Sequence, residues 1–407
     1  MVIAIAWRNI WRNKLRSLVV ILAVTLGICG GVFSTAFMKG MVDQRIESAI
    51  ENEVSHIQLH HPDFRQEDKL TQFIPGADQK TDSLYEIKGV KAASNRLSTN
   101  CMITAAGTGS GILLNGIFPE DESRVTNIHK QIVEGSYFKD VPQRIKPLVI
   151  GDELADKLNV KIKSRIVVQF ADIHGNPISL GFRVTGIYNT DNSEFDKMHV
   201  FANYQDLQAA MGVPEGVGHE IAVLLEDNNL LEEKKAQTAS LFQQQQVSSW
   251  KDISPELSYL NDVMGQYMYI IIVIILLALL FGIVNTMLMA VLERVKELGM
   301  LMAIGMNRKR IFFMIMMESV FLAITGGITG ILAGYGITEI LGSTGIDLSL
   351  YAEGLAAMGW EPVVYPAIEL ETLAGVTGLV ILTGIISAIY PALKALRLNP
   401  AESIRTE

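Results

Sequence analysis

The chain has 407 residues, of which 49% are hydrophobic and 19% charged, and its mean hydropathy is +0.29. This average is more apolar than that of most water-soluble chains of similar length, because charged residues almost disappear from four windows of the sequence. The formal net charge of -9 argues against nucleic acid as a partner. The two cysteines, Cys29 and Cys101, lie in different sequence contexts, so an internal disulfide is not expected.

The N-terminal segment, residues 1–16, alternates Trp7, Ile10 and Trp11 with basic residues at helical spacing. This pattern is typical of an amphipathic helix in the membrane interface, although an aromatic and basic anchor for the next segment explains it equally well. The apolar window 17–38 follows. A cleaved signal sequence is the alternative there, but the apolar run exceeds the roughly 7–15 residues of a signal h-region.

Four apolar windows are each long enough to cross a hydrocarbon core of roughly 30 Å. They occupy residues 17–38, 267–292, 311–341 and 373–393. The sequence therefore predicts an α-helical membrane protein with four transmembrane helices, the third being long enough to tilt.

Charged residues between the windows predict the orientation of the chain. Basic residues precede the first window, recur in the connection 293–310 and recur again in the tail 394–407. The connection 342–372 is acidic and contains no lysine or arginine. By the positive-inside rule, both termini and residues 293–310 are cytoplasmic, and residues 342–372 lie outside.

Residues 39–266 form a polar region that is large enough for a core of its own on the extracytoplasmic side. Residues 165–171 and 181–188 have strand character and are joined by turn residues, which predicts a β-hairpin. One further strand and three helices are predicted from periodicity, at residues 54–60, 153–158, 204–211 and 230–246. The region is therefore a large α+β domain inserted between the first two transmembrane helices, with a division into two lobes near residues 142–147 as an option.

A helix start is predicted just before the second window. Ser254 is a suitable N-cap and Pro255 a suitable first helical residue. We expect the helix that begins there to continue into the membrane, so that movement of the domain and movement in the membrane are mechanically connected.

Small residues and one charge are notable inside the apolar windows. Glycines at four-residue spacing permit close helix packing, and these are Gly27, Gly31, Gly326, Gly330 and Gly334. We interpret them as static packing sites. Glu318 is an ionisable residue at membrane depth, which by default suggests function. Snorkelling to the cytoplasmic interface, or pairing with a basic residue such as Arg310, is an equally good explanation.

Several kinds of chemistry find no support in the sequence. No G-x-x-x-x-G-K-[ST] motif is present, so the chain is not expected to hydrolyse ATP. No set of cysteines and histidines has zinc-ligand spacing, and no metal site is predicted. No serine lies in a G-x-S-x-G elbow, so a membrane enzyme is the least favoured class.

The segment from Glu293 to Arg308 is predicted to be a short amphipathic helix with charge at both ends. Gly299 and Gly305 permit close approach or sharp turns, which a helix needs when it docks into a groove of another protein. A basic loop that only anchors two spans is the alternative, and the residues by themselves leave both interpretations open.

As a motif, this segment is E-R-x-x-E-L-G-x-L-x-A-I-G-x-x-R, which is similar to the coupling segment of the FtsX-like, or MacB-like, type VII ABC transporter permeases. Residues 7–13 and 390–405 resemble the opening and closing motifs of the same superfamily. The resemblance implies mechanotransmission driven by a separate cytoplasmic ATPase dimer, which holds ATP and magnesium. It implies that this chain itself binds no cofactor. It also implies that a second permease copy or paralogue completes the membrane part. It also implies a set of ATPase-coupling residues, which are Glu293, Arg294, Glu297, Leu298, Gly299, Ala303 and Gly305.

Within that superfamily, residues 55–60, 111–120 and 150–158 resemble the lipoprotein-releasing permeases LolC and LolE. This resemblance implies extraction of lipoproteins from the outer leaflet, acyl-chain contact between spans one and two of paired subunits, and transfer to a periplasmic acceptor. In LolC a protruding hook between two late strands holds the acceptor chaperone. The corresponding loop here is short, so a role as the partner without the hook stays open, and its candidate contact residues are Asp172, His174, Gly175, Asn176 and Pro177.

Two other functions within the superfamily are alternatives. One is a MacB-like exporter permease for peptides or amphiphiles, which is disfavoured because no ATPase domain is fused to the chain. The other is an FtsX-like scaffold that activates an extracytoplasmic hydrolase, which is disfavoured because the domain here is larger. We therefore predict a multi-pass permease of the bacterial inner membrane that releases lipoproteins and has both termini in the cytoplasm.

Overall fold

The computed structural model describes residues 2–67, 69–105, 107–139, 145–368 and 370–396. The closing motif beyond residue 396 and part of the lobe boundary considered near residues 142–147 fall outside these ranges. The chain divides into two compact units. The first, called the membrane unit, comprises Met1–Val42, Asn261–Asp347 and Val363–Glu407, and the second, called the sheet domain, comprises Asp43–Leu260 and Leu348–Pro362.

The helices occupy both units. In chain order they are α1 Val2–Arg12, α2 Lys14–Ala49, α3 Phe64–Glu67, α4 Ala77–Tyr85, α5 Pro119–Val125, α6 Asp152–Leu158, α7 Ser193–Met198, α8 Tyr204–Met211, α9 Leu231–Leu241, α10 Trp250–Ile253, α11 Pro255–Glu293, α12 Val295–Ala303, α13 Arg308–Thr344, α14 Ala352–Ala356 and α15 Leu370–Leu396. One π-helical turn, Ile50–Val54, directly follows α2.

Most of the strands belong to the sheet domain. In chain order they are β1 Ile57–His60, β2 Val90–Ala105, β3 Thr108–Ile117, β4 Ile132–Gly135, β5 Pro147–Gly151, β6 Arg165–Ala171, β7 Pro177–Tyr188, β8 His199–Asn203, β9 Glu220–Leu225, β10 Gln246–Ser249, β11 Ile346–Asp347 and β12 Val363–Val364. The last two strands pair with each other in the membrane unit.

Four helices of the membrane unit, α2, α11, α13 and α15, are long and apolar enough to cross a bilayer, and they are the four such helices within the described ranges. Each predicted apolar window lies inside one of them. Two of the helices extend well beyond their predicted windows: α2 continues to Ala49, and α11 begins at Pro255. The helix start predicted at Pro255 is confirmed.

Three glycines of α13 allow α2 to approach closely. A methyl group on each would come within 2.8–3.0 Å of a side chain of α2, and the pairs are Gly326 with Val24, Gly330 with Ile28, and Gly334 with Val32. The hydroxyl of Thr25 also donates a hydrogen bond to the carbonyl of Gly326 at 3.3 Å. Towards α11, a methyl group on Gly27 would meet Leu279 at 2.9 Å and one on Gly31 would meet Ile275 at 3.4 Å. The glycines singled out in the sequence thus lie at helix contacts.

The sheet domain contains a ten-stranded sheet in which six strands close into a ring. The neighbours around the ring are β2, β3, β8, β5, β7 and β6, and β6 returns to β2. Closure is possible because β2 is long: residues 102–104 pair with β6, while residues 90–96 pair with β9. β1 and β10 extend the sheet beyond β9. Aliphatic side chains of the ring strands, among them Leu97, Ile103 and Val168, are fully buried in one core.

Several predicted elements of this domain are confirmed and others are wrong. The hairpin forms from β6 and β7, which pair from Arg165 with Arg183 to Ala171 with Pro177. The helices predicted at 153–158 and 204–211 are present as α6 and α8. The helix predicted at 230–246 is wrong at its end, because α9 stops at Leu241 and β10 begins at Gln246. β1 is a strand, but all four of its residues are buried, since β9 and β10 flank it and both of its faces are covered.

The division into two lobes near residues 142–147 is wrong. β4 and β5 lie on either side of that segment in sequence, yet both pair with β7 in the same sheet. Pairing of this kind is non-local, so no feature of composition at the boundary reveals it.

The connection predicted as a loop, residues 342–372, is more ordered than its acidic composition indicates. Its central part, Leu348–Pro362, belongs to the sheet domain and includes α14. There the amide of Gln44 donates a hydrogen bond to Glu361 at 3.2 Å. A methyl group on Gly359 would lie 2.8 Å from the guanidinium of Arg45. Arg45 forms an ion pair with Glu53 at 2.9 Å.

Candidate functional site

The coupling segment consists of one short helix between two sharp changes of direction. α11 ends at Glu293, Arg294 leaves helical geometry with φ −103° and ψ 17°, and α12 follows. Gly305 adopts φ +99°, a left-handed conformation that disfavours any residue with a side chain. The side chain of Asn307 then caps α13 by accepting a hydrogen bond from the Lys309 amide at 3.0 Å. Gly305 therefore lies at a turn, one of the two uses that the sequence suggested for it and Gly299.

The two faces of α12 differ in exposure. Leu298 is 5% exposed and Gly299 is also buried, so these two predicted coupling residues lie on the inner face of the helix. Leu298 shares a core with Ile311 of α13. The outer face carries Met300, which is 51% exposed, and Ile304, which is 85% exposed. An exposed apolar face on a short helix is a typical docking surface for a groove in another protein.

The sequence interpretation missed Met300 and Ile304. The signal was present, because both residues follow Lys296 at helical spacing and lie opposite Leu298 on a helical wheel. Of the predicted residues, Ala303 is exposed on this outer side, and Gly305 is exposed just beyond the end of α12. We call the exposed surface of Lys296, Met300, Ala303 and Ile304 the outer face of α12.

Ion pairs connect the coupling segment to the N-terminal helices. The guanidinium of Arg12, the last residue of α1, donates to both carboxylate oxygens of Glu297, at 2.5 and 2.7 Å. Arg16 of α2 pairs with Glu293 at the end of α11. The hydrogen bond from Arg12 lowers the pKa of Glu297 below its ordinary value. Two predicted coupling residues are thus bound within the chain itself.

A third contact lies deeper. Glu318 of α13 is only 7% exposed, and its carboxylate accepts hydrogen bonds from Arg294 at 3.2 and 3.4 Å and from Asn9 at 2.5 Å. Pairing with a basic residue is confirmed, but the partner is Arg294 and not Arg310, the example suggested from the sequence. Arg310 lies eight residues away on the same helix, about 12 Å along its axis, whereas Arg294 reaches Glu318 from the end of a different helix.

A cavity of about 340 Å³ opens among α2, α11 and α15 of the membrane unit. Its walls are formed by apolar side chains such as Met264, Met268 and Val376, with Lys39 as a cationic group. Gly265 and Gly375 also form part of the lining, and a methyl group added to either would meet nothing within 4 Å. This cavity, called the α2–α11–α15 cavity, is wide and apolar enough to hold part of an acyl chain.

The loop of the hairpin that was predicted to contact a partner is held by hydrogen bonds within the loop. A carboxylate oxygen of Asp172 accepts hydrogen bonds from the amides of His174 and Asn176, both at 2.8 Å, and Gly175 takes a positive φ of 83°. Ile173 returns to the body of the domain, where its amide donates to the carbonyl of Met211 at 3.1 Å. The loop from Asp172 to Pro177 is therefore a tight turn and not a protruding hook.

The structure also bears on metal binding. Among the residues that it describes, no group of three or more histidine, cysteine, aspartate or glutamate side chains is arranged to hold a metal ion.

Comparison with protein families gives two adjacent matches. The family model of the MacB-like periplasmic core domain matches residues 17–241, which is more than half of the chain, and that of the FtsX-like permease C-terminal domain matches residues 269–400. The second match includes α12 and its flanking helices.

Individual relatives cover most of the chain at modest identity. The lipoprotein-releasing system transmembrane protein LolC of Neisseria meningitidis is 21% identical over 337 residues, 79% of either chain. The ABC transporter permease MJ1507 of Methanocaldococcus jannaschii is 27% identical over 80% of either chain. The macrolide export ATP-binding/permease protein MacB of Hyphomonas neptunium is 24% identical over 81% of this chain and 49% of its own length.

These matches confirm the family that the coupling motif indicated, and they fit four membrane-spanning helices with a MacB-like domain between the first two. The chain belongs to the FtsX-like, MacB-like family of ABC transporter permeases and is a multi-pass membrane protein.

Proposed function

We propose that this chain is the permease subunit of a mechanotransmission-type ABC transporter that extracts lipoproteins from the outer leaflet of the inner membrane. A cytoplasmic ATPase dimer would bind and hydrolyse ATP with magnesium, and a second permease copy or paralogue would complete the assembly. The lipoprotein would pass to a periplasmic acceptor.

The observation that carries the proposal is the arrangement of α12. Leu298 packs into the core of the membrane unit and Glu297 forms an ion pair with Arg12, while the outer face presents Met300 and Ile304 to solvent. A helix held from within and apolar on its free side is suited to receive force from a docked partner. The predicted coupling role of Glu293, Arg294 and Glu297 then lies in connecting the end of α11 to α2, and α12 to α1 and α13.

Charge distribution supports the orientation that the proposal requires. Arg308, Lys309 and Arg310 begin α13, and Arg8 and Arg12 lie on α1. By the positive-inside rule these residues are on the cytoplasmic side, as a contact with a cytoplasmic ATPase demands. The sheet domain, inserted between α2 and α11, is then periplasmic.

The substrate class rests on two observations. LolC, a lipoprotein-releasing protein by name, aligns with 79% of this chain. In addition, the α2–α11–α15 cavity is lined largely by apolar side chains such as Met264, Met268 and Val376, which suits an acyl chain. The short Asp172–Pro177 turn favours the role of the partner without a hook, so that a paralogous permease would hold the acceptor.

The substrate can be identified directly. The chain is purified with its ATPase in nanodiscs, hydrolysis is blocked with vanadate, and bound molecules are identified by mass spectrometry. We expect diacylated or triacylated lipoproteins. Recovery of peptides or small amphiphiles without lipoproteins would contradict lipoprotein release and would favour an exporter, the alternative that the MacB relative supports.

The cavity can be tested by filling it. Gly265→Leu and Gly375→Leu place a side chain in open space, so they should fold normally and lower the amount of trapped lipoprotein by about tenfold, a factor that corresponds to about 1.4 kcal/mol. Gly282→Leu is the matched control, because it also meets open space on α11 but does not line the cavity. Equal trapping by all three variants would remove the cavity from the proposal.

A further inference from the structure

Glu318 is the point at which three separate parts of the membrane unit meet. The carboxylate lies on α13, Asn9 reaches it from α1, and Arg294 reaches it from the junction of α11 and α12. The described residues that form the surrounding small cavity come from α1, α2, α11 and α13. A single side chain of α13 therefore contacts both the coupling segment and α1, which is 309 residues away in sequence.

The position of Arg294 links the contact at Glu318 to the position of α12. Arg294 is the residue at which α11 ends and α12 begins, and it lies between two carboxylates, 3.4 Å from Glu297 and 3.2 Å from Glu318. Any displacement of α12 therefore moves the guanidinium that holds Glu318. Because the carboxylate of Glu318 is buried, separating it from Arg294 would leave an unpaired charge in a low-dielectric environment, which is costly.

An apolar contact would hold these helices together at least as firmly, because burying an ion pair is costly. A buried charge pair is instead sensitive to geometry. One guanidinium nitrogen of Arg294 donates to both carboxylate oxygens of Glu318, at 3.2 and 3.4 Å, so a shift of either helix lengthens these hydrogen bonds. The contact at Glu318 therefore depends on the relative position of α12 and α13.

We propose that Glu318 is a positioning residue that couples movement of α12 to α13 through Arg294, and to α1 through Asn9. This inference rests on the proposed function in one respect, that α12 receives the ATP-driven movement. In such a permease, α13 would follow the coupling helix as one body with α1.

The test is hydrogen exchange of the intact permease–ATPase complex in nanodiscs, with and without ATP, magnesium and vanadate. The variants are Glu318→Gln, Arg294→Gln and the double variant, and Glu339→Gln on the exposed surface of the same helix is the matched control. The probe is the nucleotide, so the experiment is independent of which substrate is carried.

In the parent protein and in Glu339→Gln, we expect vanadate trapping to change exchange in α12 and in residues 308–320 together. In Glu318→Gln the change in α12 should persist while that in residues 308–320 falls by about tenfold, a factor equivalent to about 1.4 kcal/mol. The double variant should be no worse than the more affected single variant, because the two residues act as a pair.

Two results would overturn the inference. One is a normal response of residues 308–320 in Glu318→Gln. The other is loss of the ATPase from the complex, or raised exchange without nucleotide, which would show that Glu318 only maintains the fold. Failure of lipoprotein trapping in the parent protein would affect the proposed substrate and not this result.

Discussion

Each unit of the molecule contains an arginine held between two carboxylates, and the two clusters are built differently. In the sheet domain, Arg96 lies 2.6 Å from Glu122 and 2.6 Å from Glu220, and the group is buried between β2, α5 and β9. Arg96 also meets Glu122 with two parallel hydrogen bonds, at 2.6 and 2.9 Å. This is the strongest geometry available to an arginine and a carboxylate.

The corresponding cluster of the membrane unit is longer and wetter. Arg294 is 3.2 Å from Glu318 and 3.4 Å from Glu297, and Glu297 is nearly half exposed. The charges around Arg96 are therefore costly to separate, whereas those of the coupling segment range from a buried pair at Glu318 to an exposed pair at Glu297 that can separate at little cost.

Glu122→Gln should destabilise the sheet domain by about 4 kcal/mol, because it leaves the buried Arg96 with one carboxylate. Hydrogen exchange in β2 of the intact chain measures the opening free energy, and exchange should accelerate by roughly a thousandfold. Glu220→Gln is the matched control and should lose less than half as much, since Glu220 is partly exposed. Equal losses would mean that burial does not determine the strength of this cluster.

Asp196 is a buried carboxylate of the same domain whose hydrogen bonds come from Thr190 instead of an arginine. Burial raises its pKa to about 7, against the hydrogen bonds from Thr190 that lower it. The folded domain therefore retains this proton at a pH where the unfolded chain has lost it, so stability falls as the pH rises from about 4 to about 7, by at most about 1.4 kcal/mol per pH unit. Asp196→Asn should flatten this part of the stability profile measured by exchange in β8. An unchanged slope would assign the dependence to another group.

Arg12→Gln tests the exposed end of the coupling cluster and should have the smallest effect, about 0.2–1 kcal/mol on the opening of α12. Because Arg12 lowers the pKa of Glu297, the contribution of the pair is present at neutral pH and is lost as the pH falls through the folded pKa. Added salt should weaken it further. Exchange in α12 measures the effect, with Arg8→Gln on the same helix as control. A loss as large as that of Glu122→Gln would contradict the proposed gradient.

Local patterns in the sequence were sufficient for much of the fold. The apolar windows predicted the helices α2, α11, α13 and α15, because length and hydropathy are properties of a continuous segment. Turn residues predicted the hairpin of β6 and β7, and the Ser254-Pro255 start predicted α11. The coupling motif indicated the family that the comparisons confirm.

Tertiary structure alone decided the features that depend on contacts between distant segments. Nothing near residue 318 indicates that Glu318 meets Asn9 and Arg294, because a buried charge is satisfied by whichever cation the packing brings close. The same reason applies to the closed ring, which depends on β6 pairing with the far end of β2, and to the cavity among α2, α11 and α15. Sequence periodicity places Leu298 opposite Met300 and Ile304 on α12, and only the packing of the helices determined that Leu298 is the buried side and that Met300 and Ile304 are exposed.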